Sequence, residues 1–488
     1  MIIRCLGFFN NKAVAFVFFA SVLLSIVAIL DRAVISKDGA LYVYVAQYVS
    51  VNGLGSAFDL FDWPWYSILI ALISNVSGIP HDVVAYVLSV IFMAGTCALV
   101  VSMVDKVFSE ARWWAVLLVL SVPVYNEFRG EIIRESGYWF FVVLSIWLVL
   151  SKAKESVSWS WGALFQLSVI SACLFRLEAV FLVFAVGFYF FIMDRGSGFR
   201  GGLVSALKFS SLFFVFLLSA FIYIVFFDAQ LGFRVAHYSK ILNPLYFIGS
   251  VEDLSDQFAN AALRRWSHSD ATVIVVSGML FALVWRIIGY AGVSSFLLLF
   301  PAGRLELLKA CSRFKLNLAA ISVYFCVLFI FFIQMKFVNS RYAAVLLLMA
   351  VPLLSVAVYG FSKRHKKAGR LIVYVSLVFM LANVVSFSDK KTHYIPIANW
   401  IKNNTSEEDR VHYDDPRIAY YAGRPWPENS FNFQQILDQG RQDDYDYLML
   451  EVGKNGEKSE AAMAEFETLA EFSTRKRTIY ILTKKDSE

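Results

Sequence analysis

The chain has 488 residues, of which 58% are hydrophobic and 17% charged. This composition is too apolar for a soluble protein of this length, and the continuous apolar runs exclude a membrane β-barrel, whose strands alternate. Residues 389–488 hold 14 basic and 19 acidic side chains, whereas the rest of the chain holds 30 and 19. We therefore predict a basic membrane part and an acidic soluble part. The basic excess predicts Lys/Arg-rich cytoplasmic loops and no nucleic-acid partner.

The apolar runs predict a polytopic α-helical membrane protein with about 11 spans. Only Arg4 and Lys12 precede the first run, and no small-residue cleavage site follows it, so we expect a retained helix rather than a signal peptide. The predicted spans are 14–30, 83–104, 113–125, 138–150, 161–175, 179–193, 203–227, 271–301, 316–335, 342–358 and 371–387. The run 68–79 is too short to span and is expected to be juxtamembrane or re-entrant, and the path of 271–301 is ambiguous.

Clusters of Lys and Arg between the runs, above all 363–367 (KRHKK), predict a cytoplasmic N-terminus and an outward-facing C-terminal part. We expect a transmembrane domain at 1–387, with a first outer loop at 31–67 and a long polar outer loop at 228–270. A small periplasmic α/β domain would occupy 388–488. Its predicted helices are 394–403, 431–439 and 459–472, and its predicted strands are 410–413, 445–451 and 478–483.

The first outer loop opens with Asp38, followed by an amphipathic helix rich in tyrosine, including Tyr42 and Tyr48. Tyr favours the boundary between membrane and water, so this helix is expected to lie on the bilayer surface. One interpretation makes Asp38 a functional carboxylate. The alternative makes it only an N-cap that accepts backbone N–H groups.

Several charged residues are predicted to lie at the outer ends of spans, where charges face the protein interior or a wet cavity and often serve function. They are Asp38, Arg129, Glu131, Arg134, Glu135, Arg176, Glu178, Lys336 and Arg341. About half are expected to be structural, and the pairs Arg129 with Glu131 and Arg176 with Glu178 are close enough in sequence to form ion pairs. Basic side chains there would hold a phosphate, and a carboxylate would act as general base.

Other chemistries have little support in the sequence. There is no P-loop, no G-x-G-x-x-G and no H-E-x-x-H motif, the six His are dispersed, and the five Cys show neither metal-ligand spacing nor a disulfide framework. We predict packing cysteines and no bound cofactor. A divalent cation held by carboxylates stays open.

Three segments together resemble bacterial GT-C membrane glycosyltransferases of the family 39 kind, similar to protein O-mannosyltransferases and the lipid A aminoarabinose transferase. The first runs from Asp38 to Gly53. The second is Ser340-Arg341-Tyr342 at the start of an apolar run, and the third comprises residues 398–401 and 414–424. The resemblance implies a polyprenyl-phosphate-linked monosaccharide donor and inverting transfer on the outer face. It also implies that Asp38 is the catalytic carboxylate and Arg341 a donor-phosphate or structural residue.

The chain departs from the family pattern at two places. Many members have a second acidic residue where this chain has Gly39, and many have a Lys-Pro-Pro run where it reads Asp62-Trp63-Pro64. The phosphate-binding Lys is thus missing, and Arg134 or Arg176 would replace it. Glu131, Glu135 and Glu178 are expected as supporting acidic residues.

The predicted function is therefore an inner-membrane glycosyltransferase whose acceptor is a glycan, lipid A, another lipid or a protein. One alternative is an O-antigen polymerase or ligase that uses Arg234, His237, Arg264 and Arg265 of the long outer loop. Another is a lipid-linked sugar transporter or flippase without chemistry, although no internal repeat points to it.

Overall fold

A computed structural model describes residues 11–152, 158–193, 198–227, 240, 243–385, 391–427, 431–453, 466–474 and 477–485. Where it is described, its membrane part consists of helices joined by turns and short irregular segments. The main helices are α1 Lys12–Leu30, α2 Lys37–Asn52, α3 Trp65–Ser77, α4 His81–Phe108, α5 Arg112–Ser121, α6 Glu135–Lys152, α7 Trp159–Phe175, α8 Phe181–Phe188, α9 Gly198–Phe227, α10 Pro244–Ala262, α11 Ala271–Tyr290, α12 Pro301–Arg313, α13 Lys315–Met335, α14 Ser340–Arg364 and α15 Lys366–Ala382.

Among the described residues, five helical segments are long and apolar enough to cross a membrane: Lys12–Leu30, His81–Ser121, Arg265–Tyr290, Lys315–Met335 and Ser340–Arg364. Shorter apolar helices stand between them, as the sequence predicts for a polytopic protein. In α14, 78% of the apolar window is buried, against 11% in the segment that contains α11. Helix α14 is therefore central, and α11 presents most of its surface to lipid.

Two predicted spans differ in detail. The run 113–125 does not form one helix: α5 ends at Ser121, Val122 is extended, and a short turn follows at Pro123–Asn126. Proline disfavours the helical conformation in the residue before it, which explains the break. The ambiguous stretch 271–301 divides into α11, a 3₁₀ segment at Gly292–Leu299 and the start of α12.

The segment 31–67, predicted as the first outer loop, folds back into the protein. Helix α2 packs against α3 and α4, with the small residues Ala40 and Ala46 fully buried in that contact. The aromatic ring of Tyr42, on the same helix, is also buried. Helix α2 is therefore enclosed by protein more deeply than a helix lying on the bilayer surface would be. Helix α3 has 13 residues, about 20 Å, too short to span, as expected.

The predicted long outer loop 228–270 is largely helical where it is described, because α10 occupies Pro244–Ala262 and a 3₁₀ segment occupies Arg265–Asp270. Helix α10 begins at a favourable cap: the side chain of Asn243 accepts from the N–H of Leu245, and Pro244 takes the first helical position. Arg4, Cys5, Arg234, His237 and the predicted domain boundary at 387/388 lie outside the described residues.

The C-terminal domain is a small α/β unit, as predicted. It contains α16 Tyr394–Asn404, α17 Pro416–Ala422 and α18 Phe433–Asp438, and the strands β1 Leu448–Gly453, β2 Phe466–Ser473 and β3 Arg477–Lys484. The strands form an antiparallel sheet in the order β1-β3-β2.

Two predictions for this domain were wrong. Residues 466–472, predicted as the end of a helix, form strand β2, because pairing with β3 buries Phe466 against Phe433 and places Phe472 opposite Ile479. The predicted strand 410–413 is reduced to a single bridge between Val411 and Tyr447. In both places tertiary pairing decided what local periodicity left ambiguous.

Candidate functional site

Asp38 lies in the first turn of α2, but it is not the N-cap. Ser36 holds that position, and its hydroxyl accepts the N–H of Gly39 at 3.2 Å. The capping-only interpretation of Asp38 is therefore wrong. Its carboxylate instead pairs with Arg341, 303 residues away, and 40% of the Asp38 side chain stays exposed to solvent.

Arg341 reaches Asp38 from the first turn of α14, a turn fixed by Asn339, whose side chain accepts the N–H of Arg341 at 3.3 Å. The guanidinium also lies 5.4 Å from the ring centre of Phe128. The segment that begins at Asp38 and the Ser340-Arg341-Tyr342 segment, far apart in the sequence, thus meet at a solvent-facing ion pair. Because the pair is open to solvent, a bound anion has access to the arginine.

Gly39 is required by close packing beside Asp38. A Cβ at this position would lie 2.8 Å from Cγ2 of Ile35 and 2.9 Å from Cβ of Ile132. No second acidic side chain fits there without displacing these residues, which gives a physical reason for the departure from the family pattern at this position.

Arg176 is committed to two carboxylates. Its Nη1 lies 2.6 Å from Glu135, its Nη2 lies 2.6 Å from Glu178, and only 6% of its side chain is exposed. Its guanidinium also stacks 4.4 Å from the ring centre of Tyr342, next to Arg341. The predicted pair of Arg176 with Glu178 is thus present, and Glu135 completes a buried triad in which one guanidinium faces two carboxylates. Arg176 therefore already has anionic partners within the protein.

Arg134 is placed differently. Among the described residues, its buried Nε and Nη1 atoms have no hydrogen-bond partner, and its guanidinium lies 5.8 Å from the ring centre of Phe61. A buried cationic donor without an acceptor is unfavourable, so this geometry favours an anionic ligand at Arg134. The Nε of Arg341 is also buried without a hydrogen-bond partner in the described part of the chain.

Glu131 pairs with Arg32 at 3.0 Å, and Arg32 also donates to the backbone carbonyl of Glu127 at 3.3 Å. Burial raises the pKa of the Glu131 carboxyl above its usual range, while Arg32 and Arg341 oppose that rise. The expected pair of Arg129 with Glu131 does not form. Arg129 is instead buried against α1, where its Nη1 donates to the hydroxyl of Ser21 at 2.7 Å.

Tyr42 is a central residue that sequence reasoning treated only as a boundary marker. It lies one helical turn after Asp38, and burial raises the pKa of its phenol to about 12. The charged groups that act on this phenol are Arg134, Glu135, Asp38 and Arg176. Tyr42 therefore lies in the neighbourhood of both Asp38 and Arg176. Tyr42 lies four residues after Asp38, and residues at this spacing lie on the same face of a helix. That spacing was the signal available in the sequence.

Arg264 and Arg265, the described basic residues of the polymerase or ligase alternative, are exposed at the turn between α10 and α11. The four described cysteines are free thiols, and no group of three or more potential metal ligands occurs within the described ranges.

No protein-family model and no curated protein matches the sequence. The solved structures do include similar folds. An apo oligosaccharyltransferase from Archaeoglobus fulgidus aligns with a TM-score of 0.51 at 12% identity, over 87% of this chain and 62% of that chain. The same enzyme tethered to an acceptor peptide containing the NVT sequon gives 0.50 at 14% identity, over 87% and 60%.

ArnT from Cupriavidus metallidurans bound to undecaprenyl phosphate aligns at a TM-score of 0.45 and 14% identity, over 96% of this chain and 97% of that chain. The present chain spans about three fifths of the length of the oligosaccharyltransferase. The likeness to the oligosaccharyltransferase is one of fold, and it confirms the expected GT-C-like fold. In the present chain this fold comprises a helical membrane part followed by a small α/β domain.

Proposed function

We propose that this integral membrane protein is a glycosyltransferase that moves a monosaccharide from a polyprenyl-phosphate donor to an acceptor on the periplasmic face of an inner membrane. Two observations carry the proposal: the solvent-facing pair of Asp38 and Arg341, and the unpartnered buried nitrogens of Arg134. Both Asp38 and Arg134 act electrostatically on the phenol of Tyr42. A carboxylate next to two cationic phosphate ligands suits this chemistry, and the GT-C-like fold supports it.

The proposed reaction is a direct displacement. The carboxylate of Asp38 accepts the proton of an acceptor hydroxyl, and the hydroxyl oxygen forms a bond to the anomeric carbon with inversion. The bond between that carbon and the phosphate oxygen breaks, and its electron pair leaves with the polyprenyl phosphate. Arg341 and Arg134 stabilise the charge that grows on the departing phosphate.

Donor binding would also change the ion pair between Asp38 and Arg341. A phosphate that draws the Arg341 guanidinium away frees a carboxylate oxygen of Asp38 to accept a hydrogen bond from the acceptor hydroxyl when the donor is in place. Arg176 would have a structural role at the site, because it already pairs with Glu135 and Glu178. This arrangement favours Arg134 over Arg176 as the replacement for the missing lysine.

The proposed orientation has a cytoplasmic N-terminus and a periplasmic C-terminal domain, with a glycan, lipid A or a protein as acceptor. The polymerase or ligase alternative relies on residues of the loop 228–270, partly outside the described ranges, and leaves the Asp38 pair without a role. The flippase alternative leaves the carboxylate without a role.

A vesicle assay separates transfer from transport. Full-length protein is reconstituted into proteoliposomes with a radiolabelled polyprenyl-phosphate sugar and a candidate acceptor fraction. Label appended to the acceptor supports the transferase. Label that crosses the bilayer on unmodified lipid, with none on the acceptor, contradicts it and favours the flippase.

A further inference from the structure

The segment between α1 and Asp38 bridges the two domains. Val34 packs into the hydrophobic core of the C-terminal domain, whereas the next residue, Ile35, is buried in the core of the membrane domain. Two adjacent residues therefore belong to two different cores. Asp38 follows three residues later, and only the cap residue Ser36 and Lys37 intervene.

The C-terminal domain forms hydrogen bonds with both the backbone N–H and the backbone carbonyl of Ile35. The N–H of Ile35 donates to the hydroxyl of Tyr421 at 2.8 Å, and the Nη1 of Arg417 donates to the carbonyl of Ile35 at 3.4 Å. Both side chains come from α17, which packs against α2. Irregular backbone that is bonded through both groups has little freedom to move.

The Arg417 side chain that contacts Ile35 is itself held in place. Asp415, the N-cap of α17, accepts from Nε of Arg417 at 2.8 Å and from Nη2 at 2.6 Å. Tyr394 donates to the same carboxylate at 3.1 Å. A bidentate arginine is held in one orientation, so its remaining Nη1 points steadily at Ile35.

Packing couples the position of Ile35 to the position of Asp38. Cγ2 of Ile35 would lie 2.8 Å from a Cβ at Gly39, so the Ile35 side chain lies directly on the first turn of α2. A second contact joins the domains farther along α2, where Tyr44 lies 6.1 Å from Trp426 between ring centres. Movement of Ile35 therefore moves the turn that carries Asp38.

We propose that the C-terminal domain is a positioning element for Asp38, acting through Tyr421 and Arg417 on the backbone of Ile35. This inference rests on the proposed function for its catalytic part. A domain that served only as a soluble appendage would need no polar contact with Ile35, three residues ahead of the carboxylate.

The test compares Tyr421→Phe with Tyr420→Phe in the full-length protein. Tyr421→Phe keeps the ring and removes the acceptor for Ile35, whereas Tyr420→Phe removes a neighbouring hydroxyl that does not bond to Ile35. Deuterium uptake of a peptide covering residues 33–39 is measured by mass spectrometry. Sugar transfer is measured in parallel, with kcat separated from the KM for the donor.

We expect Tyr421→Phe to speed exchange in 33–39 about fivefold and to lower kcat about tenfold, with the donor KM within twofold of wild type. Tyr420→Phe should match wild type in both. Arg417→Lys keeps a charge beside Asp415 but loses the contact with Ile35, and should act in the same direction.

Unchanged deuterium exchange in both Tyr421→Phe and Arg417→Lys would contradict the claim that these side chains hold the backbone of Ile35. Faster exchange with unchanged kcat overturns the positioning of Asp38 and leaves the proposed function intact. If the wild-type protein transfers no sugar, the proposed function fails, and the positioning role fails with it, while the exchange data still decide whether the domain holds the loop.

Discussion

Arg134 offers the sharpest quantitative prediction, because two of its buried nitrogens have no hydrogen-bond partner among the described residues. The substitution Arg134→Met keeps an unbranched side chain against Phe61 and removes both donors. A charge-assisted hydrogen bond contributes about 1.5–3 kcal/mol. Two such bonds to one phosphate are not additive, so we expect a loss of about 3 kcal/mol, or roughly 150-fold in the dissociation constant for polyprenyl phosphate.

The assay is equilibrium binding of labelled polyprenyl phosphate, which cannot react, to full-length protein in nanodiscs. Arg112→Met is the matched control, since Arg112 is a half-exposed arginine already paired with Asp105 at 3.1 Å. Thermal unfolding without lipid should occur at the same or a higher temperature in Arg134→Met, because an unsatisfied buried charge is removed. A dissociation constant within threefold of wild type, or a clear loss of thermal stability, would refute this reasoning.

Three further predictions follow from the same contacts. Arg176→Met leaves the buried carboxylates of Glu135 and Glu178 uncompensated, and should lower the free energy of unfolding by about 3–5 kcal/mol in denaturant melts. Gly39→Ala places a Cβ against Ile35 and should lower the unfolding temperature, with a cost of about 1–3 kcal/mol. Burial raises the pKa of Asp414 to about 7, so folding favours its protonated form, and this contribution to stability is lost as the pH rises from about 4 to 7. Asp414→Asn keeps an acceptor for the N–H of Glu451, and should stabilise the C-terminal domain at pH 8 more than at pH 5 in thermal melts; an equal effect at both pH values would contradict this.

The sequence was sufficient to predict the membrane class and to single out charged residues at the ends of apolar runs. Continuous apolar runs predict helices. Because burying a charge in the bilayer is energetically unfavourable, charged residues are expected at the ends of spans. Asp38 and Arg341 were both singled out by this reasoning. Their direct pairing was not predictable, because it joins residues 303 positions apart through the packing of α2 and α14.

The sequence did not distinguish Arg134 from Arg176, which were both predicted to bind phosphate. The distinction depends on which arginine finds carboxylates in the folded protein, and that is a tertiary property. Local spacing was informative for Arg176 and Glu178, two residues apart, but misleading for Arg129 and Glu131. Arg129 donates to Ser21 of α1, whereas Glu131 pairs with Arg32.

The C-terminal domain shows the limit of periodicity. Helices α16 and α18 lie close to their predicted positions, but β2 was predicted as helix because its apolar residues fit either period. Its strand character comes from pairing with β3. The contacts of Tyr421 and Arg417 with Ile35 were also beyond sequence reasoning, since they cross between domains.

The most direct test of the central claim is complementation of a deletion strain with Asp38→Asn. Asparagine is nearly isosteric and the helix cap is supplied by Ser36, so the variant should reach the membrane at the wild-type level. The glycan profile is read by mass spectrometry, with membrane levels measured in parallel. We predict that the sugar is missing although the protein is present. Full restoration of the glycan by Asp38→Asn would contradict the assignment of Asp38 as general base.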